Sequence, residues 1–101
     1  MSTPKVPNLS QITQELREIK PQLYQQWGVT ELAVFGSVSR GEATAESDVD
    51  IMFNYDKPLG LEIVRLADFL EETLGYKVDL LSKKAIRQAV WDFIEGDMVY
   101  V

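Results

Sequence analysis

The sequence predicts an α/β (α+β) domain, a small mixed β-sheet packed against helices. Three observations lead there. Three stretches carry apolar residues at helical spacing, three short apolar runs read as strands, and the two kinds are interleaved along the chain. The order is helix, strand, strand, helix, strand, helix.

The first helix has its apolar face at Leu9, Ile12, Leu16, Ile19, Leu23 and Trp27. Asn8 or Ser10 can cap its start, and Gly28 is a natural stop. Pro21 lies inside the pattern and is expected to kink or split the helix. Ahead of it, Met1 to Pro7 carries two prolines and reads as a loose tail. "VTELAVF", Val29 to Phe35, reads as a buried strand. "GSVSRGEATAES" is too poor in apolar residues for a core element and reads as a turn, with one helical turn, followed by a loop. "DVDIMFNY", Asp48 to Tyr55, is the second strand, ended by Lys57-Pro58. Leu61, Ile63, Val64, Leu66, Ala67, Leu70 and Leu74 mark the next helix, with Gly75 as its stop. "KVDLLS", Lys77 to Ser82, is the third strand. Ser82 is expected to cap a last helix holding Ala85, Ile86, Ala89, Val90, Phe93 and Ile94, closed by Gly96, with "DMVYV" adding a short terminal strand.

Composition narrows the chemistry. The 101 residues fit one domain, with 46% hydrophobic and 26% charged residues. No apolar run is long enough for a membrane span, and the N-terminus lacks the apolar core of a signal peptide. Cysteine is absent, which agrees with a cytoplasmic setting and leaves no thiolate site. Histidine is absent too, so Ser-His and Cys-His nucleophiles and the usual zinc sites are excluded. Sixteen acids against ten bases give a net charge of −6, unfavourable for general binding of DNA or RNA. A basic protein partner or a metal–nucleotide complex suits it better.

Within that frame, "SDVD" stands out. On a strand, Asp48 and Asp50 present two carboxylates on the same face. Two such groups repel unless a hard cation sits between them, and Mg²⁺ with its oxygen ligands is the natural choice. If the third strand neighbours the second, Asp79 can join them; three carboxylates suit a two-metal site, with ions about 3.5–4 Å apart. The plainer alternative for Asp79 is a strand-edge acid facing water. The Gly36-Ser37 turn directly follows a buried strand, and glycine permits close backbone approach. A helical turn starting at Ser37 would offer amides to phosphate, with Arg40 a further donor. One end of the sheet would then hold a phosphate seat beside a metal cage, the equipment of nucleotidyl transfer.

"GSVSRGEATAESDVD", Gly36 to Asp50, resembles the signature of the nucleotidyltransferases of the DNA polymerase beta superfamily: Gly-Ser, a spacer, Asp-x-Asp, and a third Asp on a later strand. Arg40-Gly41 and Ser47 also fit the pattern. The resemblance covers roughly Glu31 to Ser82, and by size it is nearest to the minimal nucleotidyltransferases, or MntA-type antitoxins, encoded beside HEPN-domain ribonuclease toxins. It implies the nucleotidyltransferase fold, Mg²⁺ (two ions) on Asp48, Asp50 and Asp79, and the triphosphate of ATP at Gly36 and Ser37, with Arg40 and Ser47 as supporting nucleotide contacts. Asp79 would also help deprotonate the acceptor. It implies transfer of AMP from ATP to a tyrosine of a partner HEPN toxin, with no direct role for nucleic acid or membrane. The alternatives are a non-catalytic antitoxin that acts by binding, and an orphan small-molecule nucleotidyltransferase.

Other residues have plainer expectations. Lys83, Lys84 and Arg87 read as a solvated face, Glu42 and Glu46 as loop solubility, and Glu71 and Glu72 as an exposed helix edge. Trp27 and Trp91 read as core, and Tyr55 and Tyr76 as packing.

Overall fold

A computed structural model describes residues 5–101 of the chain. Four strands form one mixed sheet: β1 (Val29–Phe35), β2 (Val49–Tyr55), β3 (Val78–Ser82) and β4 (Val99–Tyr100), in the order β3-β2-β1-β4. β1 runs antiparallel to both β2 and β4, while β2 and β3 are parallel. The helices are α1 (Leu9–Trp27), α2 (Gly36–Ser39, one turn), α3 (Glu62–Leu74) and α4 (Gln88–Ile94). The parallel β2–β3 pair follows from α3, which crosses over between them.

Strand alternation divides the core in two. Leu32 and Val34 of β1 with Val49, Ile51 and Phe53 of β2 face α1 and α3, meeting Ile12, Leu16 and Leu23 of the one and Leu66, Leu70 and Leu74 of the other. Ala33, Phe35 and Met52 face the opposite side, under Leu81, Ile86, Trp91, Ile94 and Met98. The first face is buried on a broad apolar core; the second is only partly covered, by α4 and its flanking turns. That leaves one end of the second face open.

Asn8 caps α1, its side chain accepting from the amide of Gln11 at 3.1 Å, and Gly28 ends it at φ 70°. The expected break at Pro21 does not occur: α1 is continuous through it. Pro21 sits on the exposed side, where water can take the carbonyl of Arg17 that a proline leaves free.

The last helix also departs from expectation. Lys83–Ala85 forms a separate 3-10 turn, Ile86 is extended, and α4 begins only at Gln88. Ser82 makes no cap; its hydroxyl is buried without a partner among the described residues. The cause is on the sheet. The Lys83 ammonium is held by Glu31 at 3.0 Å, and that of Lys84 by the Asn54 side-chain oxygen at 2.6 Å and the Tyr55 carbonyl. These anchors fasten the segment to the strands before helix can start, so Lys83 and Lys84 are not the freely solvated face that the charges suggest. Glu71 is likewise not an exposed edge: its carboxylate accepts from the amide of Val78 at 2.9 Å and starts β3.

Of the expected tail, the first four residues lie outside the described residues. Pro7 is buried, and the Lys5 ammonium rests 4.9 Å from the centre of the Tyr76 ring. Trp27 is core, its indole N–H donating to Glu62 at 3.3 Å; Trp91 is half-buried in the second cluster. Tyr55 stacks on Phe53, and Tyr76 packs against the main core.

Candidate active site

Asp50 and Asp79 are partners in the β2–β3 register. Both share a sheet face with Met52 and Leu81, two residues further along their strands. Asp50 is half-buried, and Asp48 and Asp79 are exposed. Asp48 lies just before β2, where the amide of Val49 donates to the Lys77 carbonyl at 2.8 Å and carries the strand pairing up to it. Burial, together with the negative charges of Asp79 and then Asp48, pushes the Asp50 carboxyl up to about 6.

The Gly36-Ser37 turn reaches the same place from β1. Phe35 pairs with Asp50 in the antiparallel register, so α2 starts beside that carboxylate. Gly36 has φ 74°, and a Cβ there would stand 2.1 Å from Asp50 Oδ2. Only glycine satisfies both constraints. The turn is closed by backbone bonds from Arg40 to Gly36, Gly41 to Val38 and Glu42 to Ser37.

Arg40 is near enough to favour the ionised form of Asp50. Its guanidinium is already engaged, Nε with Glu42 and Nη1 with Asp97, both at 2.6 Å. Glu42 is therefore an ion-pair partner and not simply a solubilising loop acid. Ser47 serves its own loop, the hydroxyl accepting from the amide of Thr44 at 2.8 Å. An open groove of about 410 Å³ runs past Asp48 between Lys5, Glu46, Tyr76 and Lys77. Asp97 and Ser39, which the motif reading missed, meet at the end of the α2 turn, where the Ser39 hydroxyl donates to the Asp97 carbonyl. Neither carries a sequence signal, since their contacts join positions almost sixty residues apart.

Among the described residues, no three acidic groups are drawn close enough to form a ready-made metal cage. The donor set nevertheless fits a hard divalent cation: it is all oxygen, and its most buried member is held back from ionising by burial first and then by its neighbours' charge.

Residues 16–101 match the model of the nucleotidyltransferase domain family. The chain belongs to the nucleotidyltransferases, in their minimal form. A candidate protein adenylyltransferase of Methanocaldococcus jannaschii is 44% identical over 97 residues, covering 92% of this chain and 97% of that protein. The protein adenylyltransferase MntA of Thermococcus cleftensis is 37% identical over 94 residues, with 92% and 95% covered. Among solved structures, a candidate minimal nucleotidyltransferase superposes with a TM-score of 0.77 at 26% identity, covering 91% of this chain and 94% of that one. A toxin–antitoxin structure with AMP-PNP gives a TM-score of 0.58 at 26% identity, with 82% and 63% covered. The four-stranded mixed sheet with α1 and α3 on one face is this minimal nucleotidyltransferase's fold.

Proposed function

We propose that this nucleotidyltransferase is an antitoxin that transfers AMP from ATP to a tyrosine hydroxyl of a partner HEPN ribonuclease toxin. The observation that carries the reading is the convergence of the Asp50–Asp79 pair with the Gly36-Ser37 turn at the open end of the sheet. The relatives support the donor and the class: two are named as protein adenylyltransferases, and a structure of the same fold is a toxin–antitoxin with AMP-PNP.

In this reading the amides of α2 and the Ser37 hydroxyl hold the triphosphate, and Arg40 balances its charge from the turn's far end. Asp48, Asp50 and Asp79 would hold Mg²⁺, which when bound neutralises phosphate charge. Asp79 at the sheet edge accepts the proton of the incoming hydroxyl, whose oxygen bonds to the α-phosphorus of ATP as the bond to the β-phosphate breaks and pyrophosphate leaves. A domain of this size grips its acceptor with little surface of its own, so a protein partner completes the site. The net charge of −6 favours a basic one.

The test is incubation of the protein with ATP labelled at the α-phosphate, Mg²⁺ and the product of the neighbouring gene. Label on a partner tyrosine, lost in Asp48→Asn, is the expected result. Neutralisation that survives Asp48→Asn without label would replace this reading with a binding antitoxin. Label found only on small molecules would replace it with an orphan nucleotidyltransferase.

A further inference from the structure

The Gly36–Ser39 turn is held at both ends. At its start Gly36 lies against Asp50. At its end two consecutive residues are tied to one residue of the C-terminal segment: the Ser39 hydroxyl donates to the Asp97 carbonyl, and Arg40 Nη1 donates to the Asp97 carboxylate at 2.6 Å. The ion pair is only partly exposed on the Asp97 side, at 26%. Asp97 itself is fixed by the 3-10 turn Glu95–Asp97, where the Met98 amide donates to the Glu95 carbonyl, and by β4, which pairs with β1 immediately afterwards. The phosphate turn is thus clamped between the strand it leaves and a segment from the far end of the chain.

We infer that Asp97 is a positioning residue for nucleotide binding, holding Ser39 and Arg40 so that the α2 amides and the guanidinium face a triphosphate together. Two features make this more than a surface ion pair. Both tethers grip the same turn, the carboxylate holding Arg40 and the backbone carbonyl holding Ser39, so a side-chain substitution at Asp97 releases the guanidinium while the Ser39 bond stays. Glu42 takes Nε of Arg40 and Asp97 takes one N–H of Nη1, which leaves the remaining guanidinium donors in a fixed orientation for an anion. An arginine held in this way loses less side-chain freedom when it meets phosphate than a free one does. The consequence for binding rests on the reading that the turn holds ATP; the tether itself does not.

Two measurements separate those claims. In the nucleotide-free protein, hydrogen exchange at the amides of Arg40, Gly41 and Glu42 reads how firmly the turn is closed. Asp97→Ala should speed it about three- to tenfold, the worth of a charge-assisted hydrogen bond at a partly exposed site. Asp97→Glu should restore most of the protection, and Asp92→Asn should leave it unchanged. In the transfer assay, Asp97→Ala should raise the KM for ATP by a similar factor with kcat little altered. Arg40→Ala combined with Asp97→Ala should be no worse than Arg40→Ala alone. Unchanged exchange in Asp97→Ala would overturn the carboxylate tether. Faster exchange with an unchanged KM, or additive losses in the double variant, would overturn its role in binding. Faster exchange in a protein that binds no Mg·ATP would leave the tether standing and remove the reading of the turn as an ATP site.

Discussion

Asp50 and Asp79 lie directly opposite one another across the parallel β2–β3 pair, with Asp50 half-buried and Asp79 exposed. Two acids of one sign share a register position where most sheets would place an apolar or oppositely charged pair. That arrangement costs stability in the protein alone and suits a site that receives a cation.

The cost has a pH signature. The Asp50 carboxyl ionises at about 6 in the folded chain against 3.8 for an ordinary aspartate. Between those values the folded state keeps a proton that the unfolded state has lost, so stability falls as pH rises through this window and the loss is complete above it. With the group partly open to solvent, the effect should be of order 1 kcal/mol. Denaturant titrations of metal-free protein at pH 4.5 and pH 7.5 should show it, and Asp50→Asn should flatten the difference.

Asp79→Asn should separate activity from stability. Asp79 is the largest charged contributor to the shift on Asp50. Removing its charge should stabilise the metal-free protein at pH 7.5 by roughly 0.5–1 kcal/mol, while AMP transfer falls at least about a hundredfold, as for loss of a general base. A variant that lost stability instead would place Asp79 in a structural role.

Gly36→Ala should be damaging out of proportion to its size. The added Cβ meets Asp50 Oδ2 at 2.1 Å, and the φ of 74° disfavours any side chain. A left-handed alanine alone costs about 1–2 kcal/mol, and relief of the clash moves Asp50. Thermal unfolding should register the first effect; a drop in transfer larger than the loss of folded protein should register the second.

Ser82→Ala should be neutral or stabilising, by up to about 1 kcal/mol. The hydroxyl is buried without a partner because the helix that it was expected to cap starts six residues later. An urea midpoint clearly below that of the parent would show that the hydroxyl has a role.

Leu16→Ala tests the opposite face. Leu16 is fully buried between α1 and the sheet. Its truncation should cost about 2–5 kcal/mol, a large share of the margin of a domain this size. Transfer per folded molecule should be unchanged at a temperature where the variant remains folded.

How much of this was legible beforehand differs element by element. The spacing from Leu9 to Trp27, the glycine stops at Gly28 and Gly75, and the apolar runs at β1, β2 and β3 were readable because they are local: periodicity and capping act over a few residues. The Gly-Ser and Asp-x-Asp motifs were readable for the same reason, each lying on one short stretch. Continuity through Pro21 was not, because it depends on which side of α1 meets solvent. Nor was the late start of α4, which is set by Glu31, Asn54 and Tyr55 on strands far earlier in the chain. The sequence alone supplied three aspartates and a Gly-Ser turn. Tertiary structure decided that Asp79 stands opposite Asp50, and that Arg40 is held by Asp97, because strand register and ion pairing between distant segments are settled only when the sheet is assembled.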